Sequence, residues 1–299
     1  MPPIRMPPSL SLRHAVILGL VQGPTELLPV SSSAHTALLP RLAGWPEAQL
    51  GAELRNSLEV ALHAGTAAAL LVALRGELVD ALRELDGRRV GLAALALAPP
   101  ALAGYLLEER LERRPSTPRA LAVGLALGAA VMALADAQGG ERSVMDAGLR
   151  DGLALGFAQA LALLPGISRN GATLGTARAR GFDRESAQAL SWRVGLPVIA
   201  GAAALKTRRL AQRGMSAGAA PALTAGAIAA FLSTLASAPL VRPGGRDRAL
   251  WPFALYRGGL AFVAMRGTTC ASARLQATPA INAATINTDG QAPIASASR

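Results

Sequence analysis

A chain of 299 residues that is 51% hydrophobic but only 3% aromatic, with a mean hydropathy of +0.34, is a poor match to a soluble domain, whose core would need bulky fillers. Its apolar content is mostly Ala and Leu, and small residues suit helices packed closely within lipid. The formal net charge of +11 comes almost wholly from arginine, with Lys206 the sole lysine; the arginines sit between apolar runs and form no nucleic-acid motif, which argues against nucleic acid as a partner and for a membrane.

Taken in chain order and read against the ~20 residues that cross a bilayer, the first apolar segment, 10–28, is short and ends at Pro29. A cleavable signal peptide is not expected, because residues 15–21 lead into a Pro/Ser-rich stretch rather than a small-residue cleavage site. Spans follow at 57–74, 90–107 (with Pro99 and Pro100 placed to kink it) and 119–136. A second short segment, 151–165, ends at Pro165, and spans follow at 186–205, 218–241 and 249–266. Residues 267–299 are polar, lack an apolar period and read as a disordered tail. Their Cys270 is the only cysteine, which excludes an intramolecular disulfide and a cysteine metal cluster. The expected fold is therefore an all-α polytopic membrane protein, one domain over 1–266. The arginine-rich connections at 75–89 and 108–119 flank one span and carry four arginines each, so positive-inside counting does not orient the chain.

The two short segments resemble each other. GLVQGPTELLPVSSSAHT from Gly19 and GFAQALALLPGISRNGAT from Gly156 share G-x-x-Q, Leu-Leu-Pro, a polar loop containing Ser, and Thr. Two copies half a chain apart suggest a duplicated helical bundle, with repeats at about 10–136 and 147–266 and the site at their interface. Each copy reads as a re-entrant or broken helix, a form tolerated at membrane depth only where protein or a water-filled cavity surrounds it.

The first patch holds Gln22, Glu26, Ser31, Ser32, Ser33 and His35. Helical spacing of four puts Gln22 and Glu26 on one face. Pro29 stops the helix, and the serines offer hydroxyls and N–H groups to an anion. A Ser near a His can serve as nucleophile and base, with the carboxylate orienting the His or binding a cation. The same residues also fit a polar turn in which the serines cap the next helix and Glu26 is solvated. In the second patch, Pro165 to Thr173, the glycines permit close backbone approach and Arg169 offers a planar fork suited to phosphate oxygens. Snorkelling of Arg169 to the interface is the alternative, disfavoured by the cost of an Arg between long apolar stretches. Together the patches supply a hydroxyl nucleophile, an acid/base and a positive clamp, the parts of phosphoryl transfer.

VQGPTELLPVSSSAH and LLPGISRNGAT, in that order, resemble the two signatures of the bacterial undecaprenyl-diphosphate phosphatases, the bacitracin-resistance family. The likeness extends to LEVALHAGTAAALLVAL from Leu58, ESAQALSWRVGLPVIAGAAAL from Glu185 and PFALYRGGLAFV from Pro252. The resemblance implies hydrolysis of undecaprenyl diphosphate to the monophosphate, recycling the lipid carrier for peptidoglycan synthesis, with resistance to bacitracin. It implies a multi-pass protein of the bacterial cytoplasmic (inner) membrane whose helical bundle has inverted repeats and two re-entrant pieces, with Mg2+ or Ca2+ as cofactor; the oligomeric state stays open, a homodimer included. By position, Ser32 would be the nucleophile and His35 the acid/base or a phosphohistidine site. Glu26 would orient the base or bind the cation with Gln22. Arg169 would clamp the diphosphate, with Ser31, Ser33, Ser168, Asn170, Thr173 and Arg193 as substrate-binding residues. Three positions depart from the pattern: Gln22 where many members have Glu, Asn170 where Ser is usual, and Arg193 in mid-span, where it needs a cavity, the diphosphate or an acid such as Glu59. The alternative from another class is a polyprenyl-phosphate transporter, since inverted repeats with broken helices also build transporters. Transport alone would not require a nucleophile beside an acid/base.

Overall fold

The computed structural model describes residues 10–113, 116–214, 218–241 and 249–276. The described residues are helical, with a single β-bridge, Arg142 to Phe182, as the only extended pairing among them. The first broken segment is a hairpin of α1 (Leu12–Leu27) and α2 (Ser32–Leu42). It breaks at Pro29, whose ring removes the backbone donor that a continuing helix needs. Next come α3 (Ala52–Ala73), α4 (Arg75–Arg83), α5 (Gly87–Arg113) and α6 (Pro118–Ala137). Thr117 accepts a hydrogen bond from the Ala120 N–H and Pro118 occupies the first turn, so α6 begins on a capped, proline-started end.

The second hairpin is α7 (Leu149–Leu161) and α8 (Arg169–Ala179), and the chain continues with α9 (Arg184–Arg213), α10 (Ala220–Ser237) and α11 (Trp251–Gln276). Two details differ from expectation. The connection at 75–89 contains α4, because Leu, Glu, Ala and Arg are good helix formers even where charge prevails. α11 runs on to Gln276, past the expected start of the tail at Gly267, since each added residue in an established helix gains a hydrogen bond. The remainder of the expected tail, 277–299, lies outside the described residues.

Among the described residues, four helices are long and apolar enough to cross a membrane: Ala52–Ala73, Gly87–Leu107, Pro118–Ala137 and Ala220–Leu240. The first three lie between the two hairpins, the odd number that two repeats of opposite orientation would require. The packing has the matching exchange symmetry. α1 of the first repeat leans on α10 of the second, and α7 of the second leans on α5 of the first; α3 faces α9, and α6 faces α11. The paired glycines of the repeat make this approach possible. A Cβ on Gly19 would lie 2.4 Å from the Gly226 carbonyl oxygen, and one on Gly156 would lie 2.5 Å from that of Leu95. Backbones in this contact leave no room for a methyl group.

Buried aspartates fasten the open end of the second hairpin. Asp136 at the end of α6 accepts from Arg178, Arg184 and the Leu250 N–H, joining α6, α8, α9 and the entry to α11. Asp151 in the first turn of α7 accepts from Arg142 at 2.8 Å, Arg180 at 2.6 Å and the Gly148 N–H at 2.9 Å. At the open end of the first hairpin, Glu47 accepts from the Ser11 N–H and lies 2.8 Å from His14 Nδ1.

Candidate active site

The two hairpins meet tip to tip. Glu26, in the last turn of α1, accepts a hydrogen bond from Ser32 Oγ at 2.6 Å with one oxygen and from Arg169 Nη2 at 3.1 Å with the other. Ser32 opens α2 and Arg169 opens α8, so two helix N-termini converge on this point. Each brings unpaired backbone N–H groups and the positive end of a helix dipole, which favours an anion between them. The residue before Ser32 is forced into an uncommon conformation: Ser31 has φ of 75°, the only positive value at a non-glycine among the described residues. Strain of this kind persists where the surroundings over-determine it, and here the break between α1 and α2 does so.

His35 lies one turn along α2 from Ser32. Its Nδ1 is 2.7 Å from the Ser31 carbonyl oxygen and its Nε2 is 2.7 Å from the Tyr256 hydroxyl. Both ring nitrogens are therefore engaged, and Ser32 gives its proton to a carboxylate rather than to the imidazole. The Ser31 and Ser33 hydroxyls are 3.3 Å apart, Ser31 buried and Ser33 exposed. Arg169 has a second terminal nitrogen, Nη1, that is buried without a partner and stands over Gly195, while its guanidinium carbon lies 5.8 Å from the centre of the Trp192 ring.

The chain matches the family model described as Bacitracin resistance protein BacA over residues 15–263. Curated relatives named undecaprenyl-diphosphatase include one from Geobacter sulfurreducens, 39% identical over 83% of this chain and 95% of its own. Another from Geobacter metallireducens is 38% identical over 82% of this chain and 93% of its own, and one from Idiomarina loihiensis is 33% identical over 84% and 96%. The chain belongs to the BacA family.

In this BacA-family chain the remaining residues picked from sequence fall into distinct places. Ser168 caps α8, its hydroxyl accepting from the Gly171 N–H. Asn170, the departure from the usual Ser, is buried and donates from Nδ2 to the Leu27 carbonyl at 2.7 Å, across the gap between the hairpins. Its Oδ1 accepts from Ser191 Oγ at 2.9 Å, and that hydroxyl lies 2.5 Å from Thr173 Oγ1. Ser168, Asn170 and Thr173 thus have their side-chain hydrogen bonds inside the protein, where they set the position of the Arg169 turn. Gln22 is fully buried one turn before Glu26, and neither amide atom has a partner.

Arg193 turns away from this cluster. It pairs with Glu84 at 3.1 Å, not with Glu59, and lines a cavity of about 890 Å3 that backs onto Leu27, Leu28 and Pro29. Glu26, Ser32, His35 and Arg169 do not line that cavity.

Tyr256 and Arg257 are the residues that sequence reasoning missed. Arg257 is fully buried in α11 and donates to the carbonyls of Pro29 at 3.3 Å and Gly166 at 3.2 Å, one from each hairpin tip, as well as to Gly124 and Leu125. A buried guanidinium is stable only when its donors are satisfied. Four carbonyls freed by broken or tightly packed helices satisfy it here. The cost of an arginine in mid-span, which singled out Arg193, applied to Arg257 with equal force.

Proposed function

We propose that this chain is an undecaprenyl-diphosphatase, hydrolysing undecaprenyl diphosphate to undecaprenyl phosphate and phosphate. The observation that carries the reading is Glu26 held between Ser32 Oγ and Arg169 where two helix N-termini converge. In the first step Ser32 Oγ attacks the terminal phosphorus and its proton passes to Glu26. The bond from that phosphorus to the bridging oxygen breaks, and the lipid monophosphate leaves. Arg169 and the backbone donors of α2 and α8 stabilise the charge on the phosphoryl oxygens. In the second step water attacks phosphoserine, Glu26 returns its proton to the departing Ser32 Oγ, and His35 is placed to accept the proton that water releases. Ser33, exposed on this turn, and Ser31, buried beside it, are further donors to the diphosphate. Ser168, Asn170 and Thr173 act by fixing Arg169.

A divalent cation, Mg2+ or Ca2+, fits the donors present. Among the described residues no cluster of three or more His, Cys, Asp or Glu could enclose a metal. A cation held by one carboxylate, one amide oxygen and the substrate's own phosphates requires no such cluster. Glu26 and the orphaned amide of Gln22 would be its protein ligands, and the cation would neutralise phosphate charge. On this reading the enzyme is a multi-pass protein of the bacterial cytoplasmic membrane, where it recycles the carrier for peptidoglycan synthesis and confers bacitracin resistance.

The purified chain in detergent, supplied with Mg2+ or Ca2+, is expected to release phosphate from undecaprenyl diphosphate and to lose that activity with a chelator. Headgroup movement in vesicles with no phosphate release under either cation would contradict the reading.

A further inference from the structure

Tyr256 has no place in the chemistry above, yet it makes the only side-chain contact to His35 from outside α2 among the described hydrogen bonds. The two rings are nearly parallel, at 3° and 5.6 Å between centres, and the hydroxyl is 2.7 Å from Nε2. A carbonyl oxygen only accepts, so the 2.7 Å contact between Nδ1 and the Ser31 carbonyl requires a proton on Nδ1. In the neutral ring Nε2 then carries the lone pair, and the Tyr256 O–H donates to it.

The placement of Tyr256 is not left to a flexible tail. Arg257, the next residue, locks the register of α11 through carbonyls of both hairpin tips. One helical step of about 100° then turns Tyr256 toward α2. One turn on, Leu260 and Ala261 pack with Ala34 and Leu38 of α2 in a shared core with α6. An interfacial tyrosine that merely anchors a helix in the headgroup layer needs neither the parallel rings nor a bond to an imidazole in the first hairpin.

Resting on the phosphatase reading, we propose that Tyr256 is a positioning residue for His35: its hydroxyl holds the imidazole in the Nδ1–H tautomer, with Nε2 kept as the proton acceptor one turn from Ser32. His35 then takes the proton of the attacking water at Nε2 once the incoming phosphoryl group displaces the tyrosine hydroxyl. Tyr256 itself gains and loses no proton over the cycle.

The test uses the full chain in detergent with 15N-labelled histidine. The protein has three histidines, and the ring signals of His35 are identified by their loss in His35→Gln. The wild-type protein is expected to show His35 with Nδ1 protonated and Nε2 bare, and Tyr256→Phe, which keeps the ring, to show a mixture of tautomers. Phosphate release should fall ~10-fold in kcat for Tyr256→Phe, with KM within about twofold, a loss of the size expected for one hydrogen bond. Added to His35→Gln, the same change should cause no further loss. An unchanged His35 tautomer in Tyr256→Phe, or a full second loss in the double variant, would overturn the proposal. The tautomer measurement needs no turnover, so a chain that released no phosphate would sink the phosphatase reading while this arm still decided the role of Tyr256.

Discussion

Glu26 Oε2 lies 2.6 Å from Ser32 Oγ, across the break between α1 and α2, and accepts its hydrogen bond. That bond is the ground on which Glu26 is proposed as the base. A serine beside a histidine invites the pairing of those two, but both nitrogens of His35 are already engaged by Ser31 and Tyr256.

Glu26→Gln keeps the size and polarity of the side chain and removes its ability to take a proton. It is expected to lower kcat for phosphate release by ~10²–10⁴-fold, the range for loss of a positioned acid/base. His35→Gln should cost less, because it leaves the first proton transfer in place. Steady-state rates of the two variants at saturating substrate check the order; a larger loss in His35→Gln would reverse the assignment of the base.

How much of this was legible in the sequence follows from where each signal resides. The hairpin breaks at Pro29 and Pro165 were readable, because proline acts through its own backbone. The likeness of the two short segments was readable because Gly19 and Gly156 each meet a neighbouring backbone at a distance that leaves no room for a Cβ. Glu26, Ser32 and Arg169 stood out as polar residues between apolar runs. The division of labour among them was not readable, since it depends on which oxygen of Glu26 faces which partner across the tip-to-tip contact. Tyr256 and Arg257 act on residues 91 to 228 positions away, and no local spacing records that. Arg193 carried the same mid-span signal as Arg257, but only the fold distinguishes an arginine paired with Glu84 from one that ties both tips.

Asn170→Ser restores the residue usual in the second signature and is nevertheless expected to weaken this protein. A serine hydroxyl is too short to reach both the Leu27 carbonyl and Ser191, which Asn170 joins at 2.7 and 2.9 Å. Leaving a buried carbonyl unpaired costs about 1–3 kcal/mol. Thermal unfolding in detergent should show a lower midpoint for Asn170→Ser, and an unchanged or higher midpoint would show that Asn170 is no staple.

Acid should loosen the open end of the second hairpin. Burial pushes the Asp151 carboxyl up, but hydrogen bonds from Arg142, the Gly148 N–H and Arg180 outweigh it and bring the pKa from 3.8 down to about 2. A group whose folded pKa lies below its unfolded value stabilises the fold above the unfolded pKa and loses that contribution as pH falls through the folded one. The stability from Asp151 is thus complete above roughly pH 4 to 5 and lost as pH falls toward about 2. Unfolding midpoints of wild type and Asp151→Asn should differ at pH 6 and converge toward pH 2. Parallel curves across that range would contradict the linkage.

The central claim is that Ser32 is the nucleophile and Glu26 its base. Substrate labelled in the terminal phosphate, mixed with enzyme and stopped in denaturant at neutral pH within one turnover, tests it by phosphopeptide mapping. Label on Ser32, absent in Ser32→Ala and sharply reduced in Glu26→Gln, is the predicted result. Label on His35, or label on Ser32 that forms at the normal rate in Glu26→Gln, would contradict it.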